Sequence, residues 1–178
     1  MAVSLFFVGC SGRVEQDPRP TFHIDATQPF RLEFGRGSGW QGLETVKIDQ
    51  SGCVVLHRMK RERREDATLE TWETATLSLP PDGLADVLKA IDENGLMGLH
   101  KSYSTDVQDG TQWVLWIKQG EREKSVYFNN SFPNVITRFA EQLDGTLAAA
   151  ELDKVTWQPV PPSESRQHER ELWNSIKR

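Results

Sequence analysis

Two cysteines in 178 residues, no long apolar run and no surplus of basic charge set the first bounds on this chain. Cys10 and Cys53 are too few for a disulfide framework. No stretch approaches the roughly 20 consecutive apolar residues that a membrane-spanning helix requires. Lys and Arg number 21 against 26 Asp and Glu, and a net charge of −5 argues against nucleic acid as the main partner. Internal repeats are absent. So are a Gly-Lys-Ser/Thr phosphate loop, a nucleophile elbow, metal-ligand spacing and an Asp-x-Asp-x-Asp-Gly calcium loop, so the expectation is no catalytic residue, no metal and no cofactor.

Apolar residues make up 37% of the chain, and the mean hydropathy is −0.55. Such a length suits one domain with tails, and the polar balance predicts exposed segments at both ends. Residues 11–29 contain three prolines and no apolar period, which reads as a flexible tether. Fold reasoning therefore starts at Phe30.

Phe30, Leu32 and Phe34 alternate with Arg31 and Glu33, a half-buried strand. Residues 35–42, GRGSGWQG, follow as a wide glycine hinge that exposes Trp40. Residues 43–49 and 53–60 form a hairpin through Gln50-Ser51-Gly52, with Cys53 placed in the sheet as a small hydrophobe. Residues 60–66 carry nearly cancelling charges and read as a solvated hairpin tip. Residues 68–79 form the next strand.

Residues 77–99 are the organising stretch. Leu84, Val87, Leu88 and Ile91 fall at i, i+3, i+4 and i+7, one stripe of an amphipathic helix. Asp82 is placed to cap its first turn, and Asn94-Gly95 to end it. Residues 112–118 and 124–129 make the strongest hairpin. Trp113, Leu115, Ile117, Val126 and Phe128 share one face; Val114, Trp116 and Tyr127 share the other. Apolar side chains on both faces predict central strands, or one face kept for a partner. Pro133 opens a second helix whose stripe is Val135 or Ile136, Phe139, Leu143 and Leu147. Residues 149–178 read as an extended connector and a polar, helix-capable tail, frayed or ordered by a partner, with Leu172, Trp173 and Ile176 as anchors.

This order of elements predicts an α+β domain over residues 30–148: a twisted, mostly antiparallel sheet of about five to six strands, with two helices packed on one face.

Two resemblances bear on function. Phe7-Val8-Gly9-Cys10, after the apolar residues 3–8, resembles the lipobox of bacterial lipoproteins. It implies that residues 1–10 are a signal segment and that the Cys10 thiol accepts lipid. The chain would then sit in the bacterial cell envelope, facing periplasm or exterior. An apolar terminus packed as an edge strand is the other reading of these residues. The series Gly37-Ser38-Gly39-Trp40-Gln41-Gly42, then Leu79-Pro80 before a helix, Asp109 before residues 112–118, and Pro133 opening a closing helix is similar to emfourin. Emfourins are small bacterial proteins that inhibit thermolysin-like metallopeptidases. The similarity spans about residues 32–143 and implies a contact edge at Gly37, Gly39, Trp40, Gln41 and Gly42.

The expected function is thus a non-enzymatic, lipid-anchored monomer that binds another envelope or secreted protein, with peptidase inhibition as one form of it. Two alternatives stand beside it. One is an enzyme with a site built from His57, His100, Asp106 or Asp109. The other is a structural envelope component docked through residues 163–178.

Overall fold

The computed structural model describes residues 24–25, 27–64, 67–107 and 110–176. The lipobox with Cys10, most of the tether, and Asp109 lie outside the described residues. The alternating Phe30, Leu32 and Phe34 are all buried and build β1 (Phe30–Ser38). β1 pairs antiparallel with β2 (Gly42–Asp49) on one side and with β6 (Thr111–Gln119) on the other. Outward from β2 follow β3 (Cys53–Arg63), β4 (Thr68–Ser78) and the two-residue β8 (Gln158–Pro159). Outward from β6 follow β7 (Arg122–Asn129) and, parallel to it, β5 (Ser102–Ser104). Among the described residues the sheet has eight strands, in the order β5-β7-β6-β1-β2-β3-β4-β8.

The expected five to six strands are thus exceeded by short edge strands at both margins. Such strands are too brief to show an alternation, and Pro159 fits only an edge, where its missing N–H is not needed.

Helix α1 (Pro81–Glu93) buries Val87, Ala90 and Ile91 and half-buries Leu84 and Leu88, as their spacing requires. Pro80 occupies its N-cap and no side chain caps it. Asp82 instead lies within the first turn, where a carboxylate complements the helix dipole. Gly95 follows the helix at φ +62, and a 3₁₀ turn (Leu96–Gly98) returns the chain under the core. Helix α2 (Asn134–Ala149) buries Ile136, Phe139, Ala140, Leu143 and Leu147. Asn94 joins the two helices: its Nδ2 donates to Ala90 O at 2.8 Å and to Gln142 Oε1 at 2.6 Å. Both helices cover one face of the sheet, over Leu32, Phe34, Ile48, Val54, Leu115, Ile117, Val126 and Phe128.

A third helix, α3 (Gln167–Ile176), departs from expectation. It packs on β1, β2, β6 and β7, and Leu172 is fully buried with Leu43 and Val114, a cluster separate from the main core. Trp116, Tyr127, Trp173 and Ile176 pack around that cluster. The second apolar face of the β6–β7 hairpin is therefore covered by the chain's own tail. Residues at both ends of the expected domain also join the body. Ile24 N donates to Asp92 Oδ1 at 3.0 Å, and Leu152, Val155 and Trp157 pack on the core.

Candidate functional site

The glycine-rich residues 35–42 form a tight hairpin turn rather than a wide hinge. β1 and β2 stay in register to Ser38 opposite Gly42, leaving only residues 39–41 to turn. Two glycines are dictated by this geometry. A Cβ on Gly37 would lie 2.0 Å from Gly42 O, so the strands close only without a side chain there. Gly42 sits at φ +83, and a Cβ on it would meet Trp72 and Glu169, each at 3.0 Å. The Ser38 hydroxyl accepts from Gln41 N at 3.2 Å and ties the turn shut. Trp40 stands at its apex, 77% exposed. Of the five residues expected at the contact edge, Gly37 and Gly42 thus shape the turn, and Gly39, Trp40 and Gln41 form it.

Trp40 has company. Leu69 at 43% and Val107 at 57% are the other exposed large hydrophobic residues among those described. β1, β3, β5 and β7 end, and β2, β4 and β6 begin, at one end of the sheet, so all three side chains lie toward that end, with Leu69 on β4 and Val107 after β5 six strand spacings apart, on the order of 29 Å. The β3–β4 ribbon runs past the last β2 pairing, Thr45 opposite His57, and carries Lys60, Arg61, Glu62 and Arg63 into solvent as a charged arm.

The turn rests on the start of α3. Glu169, 4% exposed, accepts from Arg166 Nε at 2.6 Å and Nη2 at 2.8 Å, and from Trp173 Nε1 at 3.2 Å. This buried carboxylate is therefore fully paired. Beside it a recess of about 350 Å³ opens between Gly39, Gln112, Arg170 and Trp173.

The second chemical cluster lies further along α3. The His57 and His168 rings stack with centroids 4.1 Å apart, 3° from parallel, and Trp72 lies 4.8 Å from His168. Burial and then the neighbouring His168 and Lys47 push His57 down to about 4. Burial also lowers His168, against the pull of its bond to Leu43 O and of Glu169. Lys47 Nζ bonds Glu171 Oε2 at 3.0 Å and lies 3.7 Å from Glu33 Oε2. Burial raises Glu33 despite that cation.

Of the residues of the enzymatic alternative, His57 does not converge with His100 or Asp106, and Asp109 lies outside the described residues. His57 is on β3, His100 precedes β5 and Asp106 follows it. Five strand spacings separate β3 from β5 in the sheet order, on the order of 24 Å. Cavities of about 910 and 420 Å³ are lined by His57, and neither is lined by His100 or Asp106. The larger is a groove between the end of α2 and β2–β3. Its Arg36 pairs with Asp144 at 2.6 Å, and Arg58 lies 3.8 Å from the Trp157 ring centroid while bonding Glu73. Cys53 is a free, half-buried thiol.

Among the described residues no group of three or more His, Cys, Asp or Glu is arranged to hold a metal ion. No helix among them is long and apolar enough to cross a membrane. His168 and Glu169 were not singled out from sequence. They sit in a polar stretch, and their partners Leu43, His57 and Trp72 are remote in the chain. No protein-family model matches this chain, and no curated protein matches it significantly.

Proposed function

We propose that this chain is a non-enzymatic, lipid-anchored protein of the bacterial cell envelope whose domain binds another protein through the turn between β1 and β2. The observation that carries the proposal is Trp40, a large aromatic side chain held in water at the apex of a turn that Gly37, Ser38 and Gly42 make rigid. Tryptophan is among the commonest energetic anchors of protein interfaces, and a rigid turn presents it at little entropic cost. The charged β3–β4 arm stands at the same end of the sheet and would supply the polar rim of such a contact.

The similarity to emfourin supplies the partner class, a metallopeptidase of the thermolysin type, met by the turn at its tip. The anchor rests on Gly9-Cys10. In the structural alternative the tail would capture a larger assembly, yet Leu172, Trp173 and Ile176 are spent on the chain's own sheet.

A photo-crosslinking amino acid at position 40, in the full-length chain in its own host, tests the proposal. The expected result is a covalent adduct with one envelope or secreted protein, and none from the same group at exposed Lys118 on β6. Equal adducts from both positions, or none from position 40, would overturn it.

A further inference from the structure

The seat of α3 combines two features that an ordinary packed helix does not need. First, the helix is short and polar, and ten residues do not hold a helix in water unaided. Its order depends on the sheet beneath it. Second, its one buried ring, His168 at 4% exposed, lies flat against the ring of His57 on β3. We propose that α3 is a strap released by acid, with the stacked His57–His168 pair as its trigger and the apolar strip on β1, β2, β6 and β7 as the surface it uncovers.

The hydrogen bonds locate the protons. Leu43 O can only accept, so His168 Nε2, 3.2 Å away, carries the hydrogen and Nδ1 is the nitrogen left to titrate. His57 Nδ1 lies 3.3 Å from Thr45 Oγ1. One proton on the stack is a cation against a neutral ring. A second is a like charge 4.1 Å away in a half-buried site.

Other charged groups face the pair. β1 contributes Glu33 and β2 contributes Lys47; α3 brings Glu169, itself paired with Arg166, and Glu171, and the connector brings Glu164. β6 and β7 add Val114, Trp116 and Tyr127, with Glu123 held by Trp116 Nε1. Lys47 repels protons from both rings, whereas Glu171 attracts them and is itself neutralised as acid is added. Glu33 works against release, because its carboxyl binds a proton more readily when seated than in water.

His57 is depressed from 6.5 to about 4, so the seated form binds fewer protons than the released form across that window. Seating is fully favoured above pH 6.5 and weakens as pH falls toward 4, by up to about tenfold per pH unit from His57, and His168, lowered in the same direction, adds to it. The hinge is in place. β8 and the bond from Val160 N to Trp72 O, 2.8 Å, hold the connector before the helix, and release needs no change upstream of it.

Hydrogen exchange read by mass spectrometry on the full chain at pH 7 and pH 4.5, corrected for intrinsic rates, tests the strap. The expected result is at least a tenfold loss of protection in α3 at pH 4.5, with α2 unchanged. In His168→Gln, which keeps a donor for Leu43 O and gains no proton, the acid loss of α3 protection should be at least about threefold smaller, the remainder belonging to His57, whose burial is unchanged. Should that variant leave α3 unprotected at pH 7, His57→Gln, which removes the second charge of the pair, takes its place. Equal α3 protection at both pH values, loss shared by α2, or an undiminished acid response in the variant used would overturn the proposal.

Discussion

Gly35 on β1 leaves the space that Leu172 of α3 occupies: a Cβ at position 35 would come within 2.7 Å of Leu172 Cδ2. The missing side chain in the strand and the buried one in the tail are halves of one contact. Both are needed for the sheet's second face to be covered.

That contact predicts opposite volume errors with the same outcome. Leu172→Ala empties a fully buried site and should cost about 2–4 kcal/mol. Gly35→Ala overfills it. Leu43 closes the other side, with its Cδ1 3.2 Å from the added atom, so the cost should be about 1–2 kcal/mol. Urea unfolding of each variant measures both, and a neutral Gly35→Ala would contradict the packing described.

The turn separates shape from contact. Gly37→Ala drives a side chain into the Gly42 carbonyl, a backbone atom that cannot swing away, and should destabilise the hairpin by more than 2 kcal/mol. Trp40→Ala removes an exposed side chain and should change stability by less than about 0.5 kcal/mol. Thermal unfolding distinguishes them, and a large loss in Trp40→Ala would mean that this ring is structural.

Asn94 predicts the value of a buried amide. Its bonds to Ala90 O and Gln142 Oε1 hold the end of α1 against α2. Asn94→Ala removes both side-chain bonds, while Ala90 O keeps the backbone N–H of residue 94, and should cost about 1–2 kcal/mol, against under 1 kcal/mol for Asp144→Ala, whose pair with Arg36 is partly exposed. Denaturant midpoints that ranked these two variants the other way would count against the account.

Acid should lower global stability through the same histidines. Above pH 6.5 the depressed His57 contributes fully; as pH falls to about 4 the contribution fades at no more than about 1.4 kcal/mol per unit. Glu33, raised by burial, opposes this slope. His57→Gln should flatten the melting temperature between pH 6.5 and 4, and an unchanged slope would assign the acid response elsewhere.

The elements legible in the sequence are those whose periods repeat. The 3.6-residue stripes of α1 and α2 and the alternation of β1 and β6–β7 name their own buried faces. Gly35, Gly37 and Gly42 misled because they sit inside paired strands. They are required by an approach of Gly37 to Gly42 and of Gly35 to Leu172 that no local pattern records. Edge strands β5 and β8, three and two residues long, offer no period to read.

α3 was visible as helix-capable, and the apolar second face of Val114, Trp116 and Tyr127 was visible as needing cover. That the one covers the other depends on contacts such as His168 to Leu43, 125 residues apart. At the candidate site the exposed Trp40 was legible. Its support from Glu169 and Trp72 was not.

The most direct measurement is the affinity of the full-length chain, and of Trp40→Ala, for a thermolysin-type metallopeptidase by isothermal titration with activity assayed in parallel. The account predicts that the unaltered chain binds and inhibits, and that Trp40→Ala weakens both by at least about 30-fold, the loss of a 2 kcal/mol anchor. Absence of binding by the unaltered chain would contradict the peptidase as partner. Equal binding by both proteins would contradict the turn as the contact.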